Sequence, residues 1–380
     1  MNKLIEWARG FLTEKRAAAF EDPAKLSQLT IVIPSYCRQD YLLRQIVNWA
    51  FSPATVIVVD GSPVSMNSQL SALNCDLPNV TYISLVDTYA NRLREACRHI
   101  RTPYAMCLAD DDFFLKAGLC RAMEYLDENT DNIACIGQAM ALDFDGRTQR
   151  ANFFPYGASL WRYRVADADP IRRIRSGIDN YRSATSYSVF RSSAFMGIWE
   201  GLRMTSCLEA VEYEHAIGTY TLGRLASIDD VYWIRSFECD PIDSTIDGSR
   251  HLDFARWWSS PEFEPERIEF VNRQVDRLVN HSSATKAEAN IAILETIACI
   301  LDGRHTGLMN QTRAQLRATR VLKFVKSFPF LDRAMAKLMA TRLGVFIRKK
   351  NRAGIPGTID RVAFELDDIL AFVAGFHGAL

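Results

Sequence analysis

The chain has 380 residues, 48% of them hydrophobic and 24% charged, with 45 basic and 45 acidic side chains. That length and balance predict a soluble globular protein with one large α/β domain, a smaller one and a sizeable core. No run of eighteen uncharged apolar residues occurs, and Met1 to Asp22 mixes charge with apolar residues at helical spacing, which excludes a simple membrane-spanning helix and a secretory signal peptide.

The neutral total hides an asymmetry. From Arg304 to Arg352, thirteen Lys and Arg face a single acid, Asp332, so this segment carries +12 and the remainder −12. Apolar residues such as Leu322, Phe324, Phe328, Leu343 and Phe346 are interleaved with that charge. The pattern suits a helix docked on an anionic membrane surface, or a helical subdomain with a solvated basic face. Nine cysteines (37, 75, 97, 107, 120, 135, 207, 239 and 299) form no C-x-x-C pair, and most sit in apolar stretches, as buried reduced thiols do. That usage points to a reducing, cytoplasmic compartment.

After an N-terminal helix and loop (1–27), strands and helices alternate. Strands are predicted at Leu29–Ile33, Thr55–Asp60, Val80–Ser84, Tyr104–Ala109 and Ile133–Leu142. Helices are predicted at Asp40–Trp49, Ala90–Ile100 and Lys116–Leu126. The strand runs are mostly apolar rather than alternating, as strands covered on both faces are. The rhythm implies right-handed crossovers and a mostly parallel sheet. It breaks after Asp143, and residues 147–185 are polar, aromatic and Arg-rich, with no element assigned. A strand at Ser186–Arg191, a helix at Ser206–Leu222 and a last strand at Ala226–Ile234 follow. From Pro265 on the patterns are mainly helical, including Thr285–Leu301 and Ile359–Phe372. The domains expected are therefore 28–240, with halves 28–142 and 143–240, and a mainly helical 241–380.

Ligands of open parallel sheets bind outside the carboxyl ends of the strands. Three of those ends are polar here: Pro34-Ser35-Tyr36-Cys37-Arg38, Asp60-Gly61-Ser62-Pro63 and Asp110-Asp111-Asp112. Three adjacent carboxylates repel one another unless a cation is near. Asp110 and Asp112, two apart at an extended strand end, are expected to face one side and to suit Mg2+ or Mn2+, with diphosphate oxygens completing the shell. A solvated acidic turn ahead of the next helix is the plainer alternative.

The segments LTIVIPSYCRQDYLLRQI, VIVVDGSP and TPYAMCLADDDF, in that order, resemble glycosyltransferase family 2 domains of the GT-A fold. They are most similar to a bacterial subgroup reading IPTYNR, VVDGS and TPYV-DDDF. The resemblance covers residues 28–142 well and 180–236 loosely. It implies a Rossmann-like sheet with helices on both faces, a nucleotide-diphospho-sugar donor, a divalent metal and inversion at the sugar carbon. It also implies that Asp60 contacts the base or ribose, that Pro34, Ser35 and Arg38 line the nucleotide pocket, that Asp110 approaches the ribose or sugar, and that Asp112 holds the metal. Cys37 stands where the subgroup often has Asn.

Inversion needs a general base. In the family this is a helical acid about eleven residues before a glycine that precedes the last sheet strand. Counting back from Gly223 gives Glu212, with Glu209 one turn earlier as the rival and Glu214 facing elsewhere. Asn91 and Arg92 are further donor-side candidates, and His251 is a candidate third metal ligand. Trp161, Tyr163, Trp257 and Trp258 are candidates for an acceptor platform or for core. The expected acceptor is a glycan or lipid-linked sugar at the cytoplasmic face of the inner membrane, and no nucleic-acid partner is expected. Two alternatives stay open. One is a non-catalytic membrane-surface protein with a degenerate transferase domain. The other is a sugar-nucleotide pyrophosphorylase, which the absence of glycine from Pro34–Arg38 disfavours.

Overall fold

The computed structural model describes residues 2–17, 24–145, 150–155, 163–181, 183–238, 252–303 and 359–380. His251, Trp161 and the basic segment 304–352 lie outside them.

The sheet is built around β1 (Leu29–Ser35), whose seven residues are all buried. β1 pairs in parallel with β2 (Thr55–Asp60) on one side and β4 (Tyr104–Cys107) on the other. β2 pairs in parallel with the half-exposed edge strand β3 (Val80–Ser84). Complete burial of a strand whose successive side chains point to opposite faces means that both faces are covered. α2 (Gln39–Trp49) buries Leu42, Leu43, Ile46 and Val47, and α4 (Tyr89–Cys97) packs on β1 and β2. Between them in sequence, α3 spans Asn67–Ala72.

The second half departs from the parallel pattern. β8 (Val189–Arg191) lies antiparallel between β4 and β6 (Asn132–Asp145). β9 (Arg224–Ser236) runs parallel to β6 with register shifts, and the two-residue β5 (Phe113–Phe114) closes the far edge antiparallel to β9. β7 (Arg150–Pro155) pairs only with β6. The order is β3-β2-β1-β4-β8-β6-β9-β5, so the acidic loop between β4 and β5 runs from the middle of the sheet to its edge. The architecture is the mixed α/β one expected, but the sheet is parallel only in its first half and mixed beyond β4.

α5 (Lys116–Glu128) lies against β6 and β9. Gly118 makes that approach possible, because a Cβ there would stand 2.4 Å from the Val231 carbonyl oxygen and the Tyr232 Cβ. α7 (Ser192–Gly201), α8 (Leu208–Leu222) and α4 form a packed layer, with α6 (Pro170–Asp179), α10 (Glu264–Asn280) and α11 (Lys286–Leu301) outside α8. The short α9 (Phe254–Ser259) precedes α10. α12 (Ile359–Ala379) packs against α1 (Asn2–Ala17) and β7. No described helix is long and apolar enough to cross a membrane.

Candidate active site

The three aspartates of the loop are almost wholly buried, at 1%, 4% and 0% exposure, so each charge needs partners. They find them in different directions. Asp110 turns to the end of β1, where Ser35 Oγ donates at 2.7 Å and Arg38 Nη1 at 3.2 Å. Arg38 Nη1 also reaches Asp111 Oδ2 at 3.1 Å. Asp112 turns to the end of β9. Trp233 Nε1 donates to its Oδ2 at 2.9 Å, the Ser236 backbone N–H donates to Oδ1 at 2.9 Å, and Arg235 Nη1 stands 3.4 Å from Oδ2. The single shared side expected from their spacing is therefore replaced by a bridge between two strand ends. Burial raises the pKa of Asp110, aided by the Asp111 charge, against Arg38 and Ser35. Burial also raises Asp112, against Arg235 and its hydrogen bonds.

The loop backbone is held from behind by two adjacent residues of α2. Arg44 Nη2 donates to the Asp111 carbonyl at 2.8 Å, and Gln45 Nε2 donates to the Asp112 carbonyl. Both side chains are buried.

Beside this loop, Asp60 ends β2. Its Oδ1 accepts from Ser62 N at 2.9 Å and from Ser62 Oγ, and its Oδ2 accepts from the Tyr82 hydroxyl at 2.8 Å. Arg92 donates from Nη1 to the Ser35 carbonyl, while its buried Nε has no partner among the described residues. Gly61 makes room for it, since a Cβ there would meet the Arg92 side chain at 2.9 Å. Burial lowers the Arg92 pKa, and Tyr89, Asp60 and Asp110 pull it back. Pro34 is buried within β1 opposite Val59. Cys37 adopts the left-handed conformation, φ 55°, and is exposed. Asn tolerates that conformation better than most residues, which gives a backbone reason for the Asn of the similar subgroup.

On α8 the three acids part company. Glu214 is buried and receives both arms of Arg273, at 2.9 and 2.8 Å. Glu209 accepts from the Phe254 backbone N–H at 2.8 Å. Glu212 is exposed. Tyr187 adjoins the acidic loop through Trp233. The Tyr187 ring stacks on Trp233 at 4.7 Å, and Trp233 is the donor to Asp112. Burial pushes the Tyr187 hydroxyl far up; Arg235 opposes this, and Asp112, Asp111 and Glu212 all add to the rise.

Residues 30–198 match the family model described as Glycosyl transferase family 2. Over those residues, somewhat less than half of its length, the chain is similar to that family. Among solved structures it is similar to TarS of S. aureus, at 12% identity and TM-score 0.46, covering 74% of this chain and 44% of TarS. It thus spans less than half of that longer protein. TarS 1-349 in complex with UDP-GlcNAc gives 13% identity and TM-score 0.49, covering 74% of this chain and 73% of that one. TarS 1-349 in complex with UDP gives 11% and 0.47, covering 93% and 90%. No curated protein matches the chain.

Within residues 30–198 the structure brings together Ser35, Arg38, Asp60, Arg92, Asp110, Asp111 and Asp112. Asn91 is turned away from them. It donates to Asp87 at 2.7 Å, accepts from Arg94, and lines a cleft of about 550 Å³ with Thr88, Arg203 and Arg273. Tyr163 and Trp257 are core residues, hydrogen-bonded to Thr185 and Glu266 respectively, and Trp258 lies parallel to Phe254. The buried-thiol expectation holds for Cys97, Cys107, Cys120, Cys135 and Cys207, while Cys37 is exposed and Cys75 and Cys299 are half-buried. Sequence reasoning missed Trp233, Arg235 and Ser236, and also Arg44 and Gln45. The last two had a signal, since they are polar residues between apolar positions of one short helix.

Proposed function

We propose that this chain is an inverting glycosyltransferase that moves a sugar from a nucleotide-diphospho-sugar to a glycan or lipid-linked acceptor, with Glu212 as general base. The observation that supports the reading most is the buried Asp110–Asp112 loop, bridged between the ends of β1 and β9. Asp60, Ser35 and Arg38 hold the nucleotide end of the donor. Arg38 and Arg235 bring positive charge beside the departing diphosphate. The acceptor hydroxyl gives its proton to the Glu212 carboxylate as its oxygen bonds to the anomeric carbon. The bond from that carbon to the diphosphate oxygen breaks, and its electron pair leaves with the diphosphate.

The donor set fits a hard divalent cation of the Mg2+ or Mn2+ kind. Among the described residues no three His, Cys, Asp or Glu side chains gather into a cage. Mg2+ needs none where one or two carboxylates and substrate phosphates suffice. Burial raises the pKa of Asp110 and of Asp112, and a cation beside them would favour their ionised forms. Asp112 would hold the ion, which when bound supplies Lewis-acid stabilisation of the leaving diphosphate, while Asp110 is turned to Ser35 and Arg38. The lipid-linked class of acceptor rests on the +12 segment, which suits an anionic cytoplasmic membrane face.

The test is a screen of nucleotide sugars for donor hydrolysis and transfer, followed by Glu212→Gln and Glu209→Gln. Gln keeps the shape and cannot take the proton, so Glu212→Gln lowers turnover by about 10²–10⁴-fold with donor affinity nearly unchanged. Glu209→Gln disturbs only the contact to Phe254. A silent Glu212→Gln beside a damaging Glu209→Gln overturns the assignment of the base.

A further inference from the structure

α12 is remote in sequence from the acidic loop yet holds it at two places. At one end, α5 begins at Lys116 and its preceding residue, Leu115, offers no side-chain cap. The missing acceptor comes from α12, where the Glu365 carboxylate accepts from Lys116 N at 2.7 Å and Ala117 N at 3.1 Å. Exposed helix-start N–H groups need such an acceptor, and this one fixes the segment directly after the loop.

At the other end stands His377, twelve residues on, or about 18 Å along a helix. Its Nε2 lies 2.6 Å from Glu238 Oε1, and its ring stacks on Phe144 at 3.8 Å and 8°. Glu238 is fully buried and also receives Arg44 Nη1, at 3.0 and 2.8 Å, and Ser236 Oγ at 2.8 Å. Burial works against the Glu238 charge, but His377 and Arg44 overcome it and keep the carboxyl below its usual range. Arg44 in turn donates to the Asp111 carbonyl. Its guanidinium lies 4.7 Å from the Phe113 ring and 4.8 Å from the Phe376 ring. Phe113 directly follows Asp112, and Phe376 is on α12.

We infer that α12 belongs to the donor machinery, with His377, through Glu238 and Arg44, and Glu365, through the start of α5, acting as positioning residues for the Asp110–Asp112 loop. This rests on reading that loop as the donor site. A loop whose carboxylates must meet a diphosphate gains from a fixed backbone, because small misplacements are costly in rate. Arg44 cannot do this alone. A buried guanidinium needs a buried counter-charge in fixed geometry, and Glu238 takes its geometry from His377.

The experiment compares wild type with the double variant Glu365→Ala/His377→Leu and with His377→Gln, which keeps an N–H donor for Glu238. Three readouts are taken: melting temperature, kcat and KM for UDP-, GDP- and dTDP-sugars, and deuterium uptake of peptides covering residues 108–117. The expected result is a folded double variant with kcat/KM lower by about 10- to 100-fold and faster exchange across 108–117. Exchange in β1 should be unchanged, and His377→Gln should stay close to wild type. A lower melting temperature with kcat/KM within twofold of wild type and unaltered loop exchange makes α12 merely structural and overturns the inference. Wild type inert towards every nucleotide sugar overturns the donor-site reading and the inference with it, whereas active wild type with an equally active double variant overturns the role of α12 alone.

Discussion

His215 sits on α8 one turn from Glu212 and is 2% exposed. Its ring lies between Phe190, at 5.7 Å, and Trp199, at 4.8 Å, and its Nε2 has no hydrogen-bond partner among the described residues. Burial first, and then the charge of Arg277, lower its pKa from 6.5 to about 3. Unfolded chains therefore take up a proton at this residue below about pH 6.5, while the native state stays unprotonated down to about pH 3. In that window the unfolded state binds more protons, so stability falls as pH falls. Each pH unit corresponds to about 1.4 kcal/mol for a full proton, so lowering pH from 6.5 to 4.5 costs about 2–3 kcal/mol through this residue. His215→Phe keeps an aromatic ring among aromatic rings and removes the titration. Urea unfolding followed by tryptophan fluorescence at pH 7.0, 6.0, 5.0 and 4.5 measures the difference. The variant should match or exceed wild-type stability at pH 7, and its advantage should grow by about 2–3 kcal/mol towards pH 4.5. Parallel pH profiles for the two proteins would refute the buried, neutral assignment of His215.

Asp112→Asn loses the charge, so turnover should fall by about 10²-fold or more, and its NH2 would face one of two donors, Trp233 Nε1–H or the Ser236 N–H, so the unfolding midpoint should fall as well. Asp112→Ala would instead leave the Trp233 and Ser236 N–H groups unpaired. Wild-type turnover in the Asn variant, or full wild-type activity in excess EDTA, contradicts a cation-assisted mechanism. Cys37→Asn relieves a left-handed backbone position and should raise stability by up to about 1 kcal/mol, seen as a higher thermal midpoint; a lower midpoint refutes the backbone explanation.

The strands of the parallel half could be read almost residue by residue. β2 falls where its apolar run ends at Gly61, because burial on both faces writes itself into consecutive residues, and the half-exposed β3 ends after Ser84 as its sequence suggests. The mixed half could not. β5 has two residues and β8 three, and their places come from pairing with distant strands rather than from any local pattern. α6 was legible in principle. Asp169 caps it and Pro170 opens it, a helix-start signal hidden inside a segment that looked merely polar. At the site, the acidic loop stood out as three like charges after a strand. Its partners did not, since Arg44 lies 67 residues from Asp111, and Trp233 lies 121 residues from Asp112. The separate fates of Glu209, Glu212 and Glu214 depend on Phe254 and Arg273, which no helical periodicity reveals.

The contact between Glu365 and Ala117 spans 248 residues of chain. Domains are built from the N-terminal side as they leave the ribosome, so β1 to β5 and the acidic loop exist well before α12 is synthesised. Arg44 and Glu238 can pair as soon as β9 is made, but the cap on α5 and the ring over the guanidinium arrive later. Contacts of such long range form slowly, and the nascent chain therefore passes through a stage in which its sheet is complete but its acidic loop lacks the support of α12.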